Sequence, residues 1–139
     1  MSQASDYLEN KLLDHVLRNT AFTSPTTVYV GLFLNTSGNA LTNLEAGTLT
    51  DEVPNSNGYA RVAATFSAAS SGSITTSGNI TFAAANGGDF GTITHIAILD
   101  GNTHGSGNVL FYGALTTSKT IQDGDTFQIT TGNLTVTLA

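Results

Sequence analysis

The sequence predicts a mainly β protein: an antiparallel β-sandwich, jelly-roll-like or immunoglobulin-like, with one N-terminal α-helix. Three observations carry this. The stretch SDYLENKLLDHVLRNTAF at 5–22 is dense in charge and spaced for a helix, unlike anything after it. From Thr26 onward the apolar period changes to two, the repeat of a strand with one buried face. Turn residues then cut the chain into about seven or eight short runs, spaced as in sandwiches and barrels. No alternation of strands with helices supports a parallel sheet. With no internal repeat or linker, residues 1–139 read as a single domain, a helix at 6–18 and a sandwich at 26–138.

The helix has a start signal in Asp6, with Glu9 three positions later completing a capping-box-like pair. Leu8, Leu12 and Val16 recur at i, i+4, i+8, and Leu13 and Leu17 widen the stripe. Asn10, Lys11, Asp14 and Arg18 make the polar face, and Asn19 and Pro25 mark the stop. A helix of about three turns is marginal alone in water, so this one must dock on something.

Residues 26–34, TTVYVGLFL, put Val28, Val30, Leu32 and Leu34 on one face. Residues 35–58 show no sustained pattern and read as a long loop carrying Glu45, Asp51 and Glu52. Asn57-Gly58 is a turn signal leading into YARVAATF at 59–66. A polar turn region follows at 67–79, with room for a short strand, then Ile80 and Phe82 alternate in ITF. TITHIAILD at 92–100 is apolar on both parities, as a central strand covered on both faces should be. GNTHGSGN (101–108) reads as a hairpin loop, VLFYGAL (109–115) as a buried strand and KTI (119–121) as a short one. TFQIT (126–130) and NLTVTL (133–138) close the domain. The predicted core comprises Val28, Val30, Leu32, Val62, Phe66, Phe82, Ile96, Ile98, Phe111, Phe127, Ile129 and Val136.

Composition narrows the function. Charged residues make up 10% of the chain, against roughly 25% in ordinary soluble domains, which suits a subunit built to be assembled. A net charge of −6, with only four Lys and Arg, speaks against nucleic acid and anionic membranes as partners. With no cysteine, disulfides, thiolate metal sites and thiol nucleophiles are excluded. No apolar run reaches the ~18 residues of a membrane span, and no signal peptide opens the chain.

No catalytic constellation emerges, and no cofactor or metal is expected. His15 flanks the helix stripe, His95 lies within a buried strand and reads as a hydrogen-bonded core or interface histidine, and His104 sits in a Gly-rich loop with Asp100. Asp123-Gly124-Asp125 lacks the spacing and terminal Glu of a calcium loop and reads as an Asx-rich turn. No G-x-S-x-G elbow is present. Tyr29, Tyr59, Phe90 and Tyr112 could serve as platforms for a sugar ring, with Tyr29 and Tyr112 the two to test, although core packing is the favoured account of such aromatics.

The segments SDYLENKLLDHVLRNTAFTSPTTVYVGLF, NGYARVAATFSAA, FGTITHIAILD, NVLFYGALTTSKTIQDGDTFQI and GNLTVTLA resemble, nearly end to end, a family of small tailed-bacteriophage virion proteins. Its members are commonly labelled phage tail-fibre or minor tail proteins. The 35–58 loop departs from that pattern, being longer and carrying three acidic residues. The resemblance implies a non-enzymatic virion protein assembled in the host bacterial cytoplasm. Three roles compete: tail-fibre or tail-tip component, capsid decoration protein on the head, and carbohydrate-binding module for host recognition. Expected partners are copies of itself, in a homo-oligomer such as a trimer, other virion proteins and a host surface glycan. Candidate assembly contacts are Lys11, Asp14 and Arg18 on the helix, facing Glu45, Asp51 and Glu52 of a neighbour's loop, with Leu41 and Leu44 as apolar anchors. The helix is expected either to cover an edge of its own sandwich or to dock on a neighbouring protein.

Overall fold

The computed structural model describes residues 3–138, which form nine strands and two helices. Strand β1 (Gln3–Ala4) leads into helix α1 (Asp6–Leu17), then β2 (Val28–Phe33), α2 (Ala40–Glu45) and β3 (Val62–Ala64). Six further strands follow: β4 (Ser73–Thr75), β5 (Ile80–Thr81), β6 (Gly91–Leu99), β7 (Val109–Ile121), β8 (Gln128–Ile129) and β9 (Thr135–Thr137). A five-stranded sheet, ordered β1-β7-β6-β2-β3, is accompanied by two-stranded ribbons β4-β9 and β5-β8. Every pairing is antiparallel. The fold is mainly β and sandwich-like, with one N-terminal helix.

The alternation read from sequence sets the register. Leu32 lies opposite Ile96 and Val30 opposite Ile98, so these four side chains share a face. The ribbons cover that face. Ile80, Phe82, Phe127, Leu134 and Val136 join Val30, Leu32, Ile96 and Ile98 in one core, which holds all twelve predicted core residues, buried or packed against it. Strand β6 is central and buried on both faces, as its unbroken apolar run requires.

The opposite face carries a second, smaller core. Phe33, Ala97, Leu99, Val109 and Tyr112 pack with Leu44, and Leu49 lies against them. Here the structure corrects the sequence reading: residues 35–58 are not a featureless loop. They fold back over the sheet, forming α2 and burying Leu44 and Val53. Residues 51–53 also run along the outer edge of β2, with Glu52 bridging Phe33 and Val53 N–H donating to the Leu32 carbonyl at 3.0 Å. Strand β3 pairs with Val28–Val30 and this segment with the rest, leaving no long open edge on β2.

Helix α1 begins one residue earlier in its cap than the sequence suggests. Ser5, not Asp6, is the N-cap, accepting from Leu8 N–H at 3.3 Å. Ser5 is fully buried because β1 pairs Gln3 and Ala4 with Tyr112 and Phe111 of β7. Its N–H donates to the Leu110 carbonyl at 3.0 Å, and its hydroxyl donates to the Val109 carbonyl. The C-terminal stop holds: Asn19 adopts φ +53°, and Thr20 N–H reaches back to the Asp14 carbonyl at 3.1 Å.

Strand β7 is a single long element, but its pairing with β6 breaks where the sequence suggested two strands. Val109–Ala114 pair with His95–Leu99, Lys119–Ile121 pair with Gly91–Ile93, and residues 115–118 bulge between them. The Asn57-Gly58 turn forms as expected, with φ +59° and +85°. Gly72, at φ +74°, starts the β4-β9 ribbon. A Cβ there would meet the Leu138 carbonyl oxygen at 2.8 Å, so only glycine fits.

Candidate functional site

Two polar assemblies lie on or beside the α2-covered half of the sheet. The first centres on Glu52 and Arg61. Arg61 donates from Nε to Glu52 Oε1 at 2.7 Å and from NH2 to Oε2 at 2.8 Å, a bidentate pair whose side chains are 0% and 1% exposed. Arg61 NH1 donates to the carbonyls of Gly101 (2.7 Å) and Ser106 (2.8 Å). Glu52 also accepts from Tyr59 Oη at 2.9 Å and from Gly105 N–H at 2.8 Å. Tyr59 Oη in turn accepts from Leu32 N–H at 3.0 Å, while its ring stacks on Phe82 and meets Phe90 and His104 edge-on. His104 Nε2 lies 2.8 Å from the Val53 carbonyl.

The electrostatics follow from this geometry. Burial pushes the Glu52 carboxyl up, but the Arg61 and Gly105 hydrogen bonds, the Arg61 charge and the Tyr59 hydroxyl outweigh it and hold Glu52 below its ordinary value. Burial and the neighbouring Glu52 charge push the Tyr59 phenol far up. The arrangement is a clamp. It ties residues 51–53, the start of β3 and the 101–108 hairpin loop into one body, and each charged group is consumed by the others.

The second assembly is the 35–43 lobe. Asp51, also buried, accepts from the Thr36 hydroxyl (2.9 Å), Ser37 N–H (2.9 Å), the Ser37 hydroxyl (2.6 Å) and Asn43 Nδ2 (3.4 Å). Burial raises its pKa, and these donors more than reverse the effect. Between this lobe and β6 lies a cleft of about 170 Å³ lined by Asn35, Gly38, Asn39, Ala40, Leu41, Thr42 and His95. His95 is 8% exposed, and burial holds it below the ordinary imidazole value against the opposing charge of Asp51.

Two apolar surfaces remain uncovered. Only the first half of the α1 stripe is used, with Leu8 buried and Leu12 half-buried against the main core. Leu13, Val16 and Leu17 are 57%, 72% and 74% exposed. An open groove of about 350 Å³ separates the five-stranded sheet from the β4-β9 ribbon, lined among others by Val28, Phe66, Ile74, Ile98, Phe111 and Leu138.

Residues 3–137 match the family described as Podophage GP4 fiber I protein gp80. The chain belongs to that family. It is thus a phage fibre protein, a structural component of the virion, as the resemblance implied. No curated protein matches the chain. Among the described residues, no helix is long and apolar enough to cross a membrane.

In this fibre-family fold the expected contact residues separate sharply. Lys11, Asp14, Arg18, Leu41 and Glu45 are at or near the surface. Asp14 pairs with Arg18 at 3.0 Å, and Lys11 Nζ stands 5.8 Å from the Tyr7 ring centre. Asp51, Glu52 and Leu44 are buried at 2%, 5% and 1% exposure, satisfied or packed inside their own subunit, which removes them from any surface. Tyr112, 3% exposed, has no open face for a sugar, whereas Tyr29 is half-buried. His15 Nδ1 accepts from Phe22 N–H at 3.1 Å. Asp125 caps its turn, accepting from Gln122 N–H at 3.0 Å as an Asx-rich turn requires, whereas Asp123 reaches across to another loop and accepts from Gly87 N–H at 3.0 Å. Sequence reasoning missed Arg61 altogether. Its one signal is isolation: a lone cation in the otherwise apolar run YARVAATF, where a charge needs a buried partner.

Proposed function

We propose that the protein is a non-enzymatic subunit of a tail fibre or tail tip, assembled in the host cytoplasm and joined to copies of itself. Membership of the fibre family over residues 3–137 carries this reading. A structural role is further supported by the fate of three ionisable side chains that their surroundings shift from their ordinary values. Glu52 binds both Tyr59 and Arg61, and Asp51 binds its own lobe, so their interactions hold loops in place. For self-assembly, the unused half of the α1 stripe supplies an apolar surface that a neighbouring subunit would cover. This combines the two fates expected of the helix, since its first half closes its own sheet.

Density of the intact particle tests the placement. A few to dozens of copies at the tail are expected. A lattice of hundreds of copies on the head would make the protein a capsid decoration subunit instead.

A further inference from the structure

The two apolar surfaces that the subunit leaves open differ in shape. The last turns of α1 form a ridge, where Leu13, Val16 and Leu17 are each more than half exposed. Asp14 and Arg18, on the neighbouring flank, pair with each other at 3.0 Å and ask for no partner from outside.

The other surface is concave. A register shift opposite Ile98 and Leu99 gives β7 one extra residue, and Leu110 and Phe111 both line the same groove beside Ile98. The ribbon above them is only two strands wide, and it leaves the groove of about 350 Å³ uncovered. Phe66, Ile74 and Phe111 are half-buried there, and Leu138 is 55% exposed. Among the described residues that line the groove, none carries a charge. No residue of α1 lines it either, and buried Ser5 and Leu8 fix the helix at its start, so a chain does not fill its own groove with its own ridge.

Keeping either surface in water costs free energy in proportion to its apolar area. A ridge-to-ridge contact would remove one of them and leave the groove open. Ridge against groove removes both.

We propose that the groove receives the end of α1 from a second copy of this chain, with Leu13, Val16 and Leu17 entering it. This rests on the self-assembly proposed above and names the surface that meets the helix. The volume lies within the ~300–1,000 Å³ of sites that enclose small ligands, enough for aliphatic side chains to enter. Because ridge and groove are different surfaces, the contact is head-to-tail and repeats until the copies close on themselves. Three side chains make a contact well below the ~1,200–2,000 Å² of a stable complex. A single contact is therefore weak, and closure, in which every copy makes two, holds the assembly.

Sedimentation of the full chain from micromolar to millimolar concentration tests this with one variant on each surface. Ala69→Arg sets a charged side chain at an exposed position of the groove, and Leu13→Ser with Leu17→Ser removes the ridge. Each should weaken self-association at least about tenfold with circular dichroism unchanged, the loss expected when a leucine is no longer buried. Mixed at millimolar concentration, the two should form 1:1 pairs and nothing larger, because the ridge of Ala69→Arg meets the intact groove of the helix variant. If the helix variant alone loses association, self-assembly through α1 stands and the groove is not its receiver. Normal self-association of Ala69→Arg with reduced occupancy in particles would overturn the proposal by assigning the groove to another virion protein. A wild type that stays monomeric at millimolar concentration would overturn both this contact and self-assembly.

Discussion

The two faces of the five-stranded sheet are closed by different means. One is covered by the β4-β9 and β5-β8 ribbons through side chains such as Phe82, Phe127 and Val136, with alternating polar residues left outside. The other is covered by a lobe without strand periodicity, held by Leu44 beneath it and by Asp51 and the Glu52–Arg61 clamp at its margin. Apolar contact is non-directional and tolerates sliding. Charged hydrogen bonds require one geometry, and this half of the molecule uses them to fix the positions of loops. The ribbon side thus supplies most of the buried apolar area, and the lobe side supplies a defined surface.

The largest expected effect separates the two cores. Phe82→Ala should cost about 3–5 kcal/mol of global stability, seen as a lower denaturant midpoint for every probe. Leu44→Ala, also in a core, should instead raise hydrogen exchange within 35–53 while ribbon amides stay protected. Equal loss of protection on both faces would show that the lobe is not a separable unit.

Next comes the clamp. Arg61→Ala or Glu52→Ala should each cost about 3–5 kcal/mol, because the remaining charge is left buried without its partner. The double variant Glu52→Leu with Arg61→Met should recover much of that loss in thermal denaturation, yet leave the 101–108 loop mobile by relaxation measurements. If that loop stays rigid in the double variant, the clamp is not what positions it.

A smaller effect should appear as pH dependence. His95 is held below its ordinary 6.5, so the unfolded chain takes the proton first and stability declines as pH falls through the window beneath 6.5. Glu52 and Asp51 are held below 4.5 and 3.8; their contributions are full above those values and are lost as pH falls through the lower folded ones. Thermal melts from pH 7 to pH 3 should therefore show two descents, and His95→Gln should flatten only the upper one.

The smallest effect on stability belongs to the end of α1. Leu13→Ser with Leu17→Ser should change the melting free energy by no more than about 0.5 kcal/mol per site, as exposed positions do. Sedimentation should nevertheless show weaker self-association. Unchanged sedimentation of a wild type that does self-associate would place the contact elsewhere.

Alternation in VYVGLF and TITHIAILD determined strand type, register and which side chains form the main core, because period and burial are local properties of a strand. The N-terminal helix was equally legible, from spacing and from Asn19 at its end. Its cap was not, since Ser5 is fixed by β1 docking on β7, more than 100 residues away in sequence. The same limit hid the polar sites. Asp51 and Glu52 look like solvated loop charges until the fold brings Ser37 to one and Arg61, Tyr59 and Gly105 to the other. His95 looked like a core or interface histidine, and it is buried; only the folded lobe forms the cleft that it lines. Exposure of Leu13, Val16 and Leu17 was likewise a tertiary decision, because the helical stripe is longer than the surface its own sheet offers to cover it.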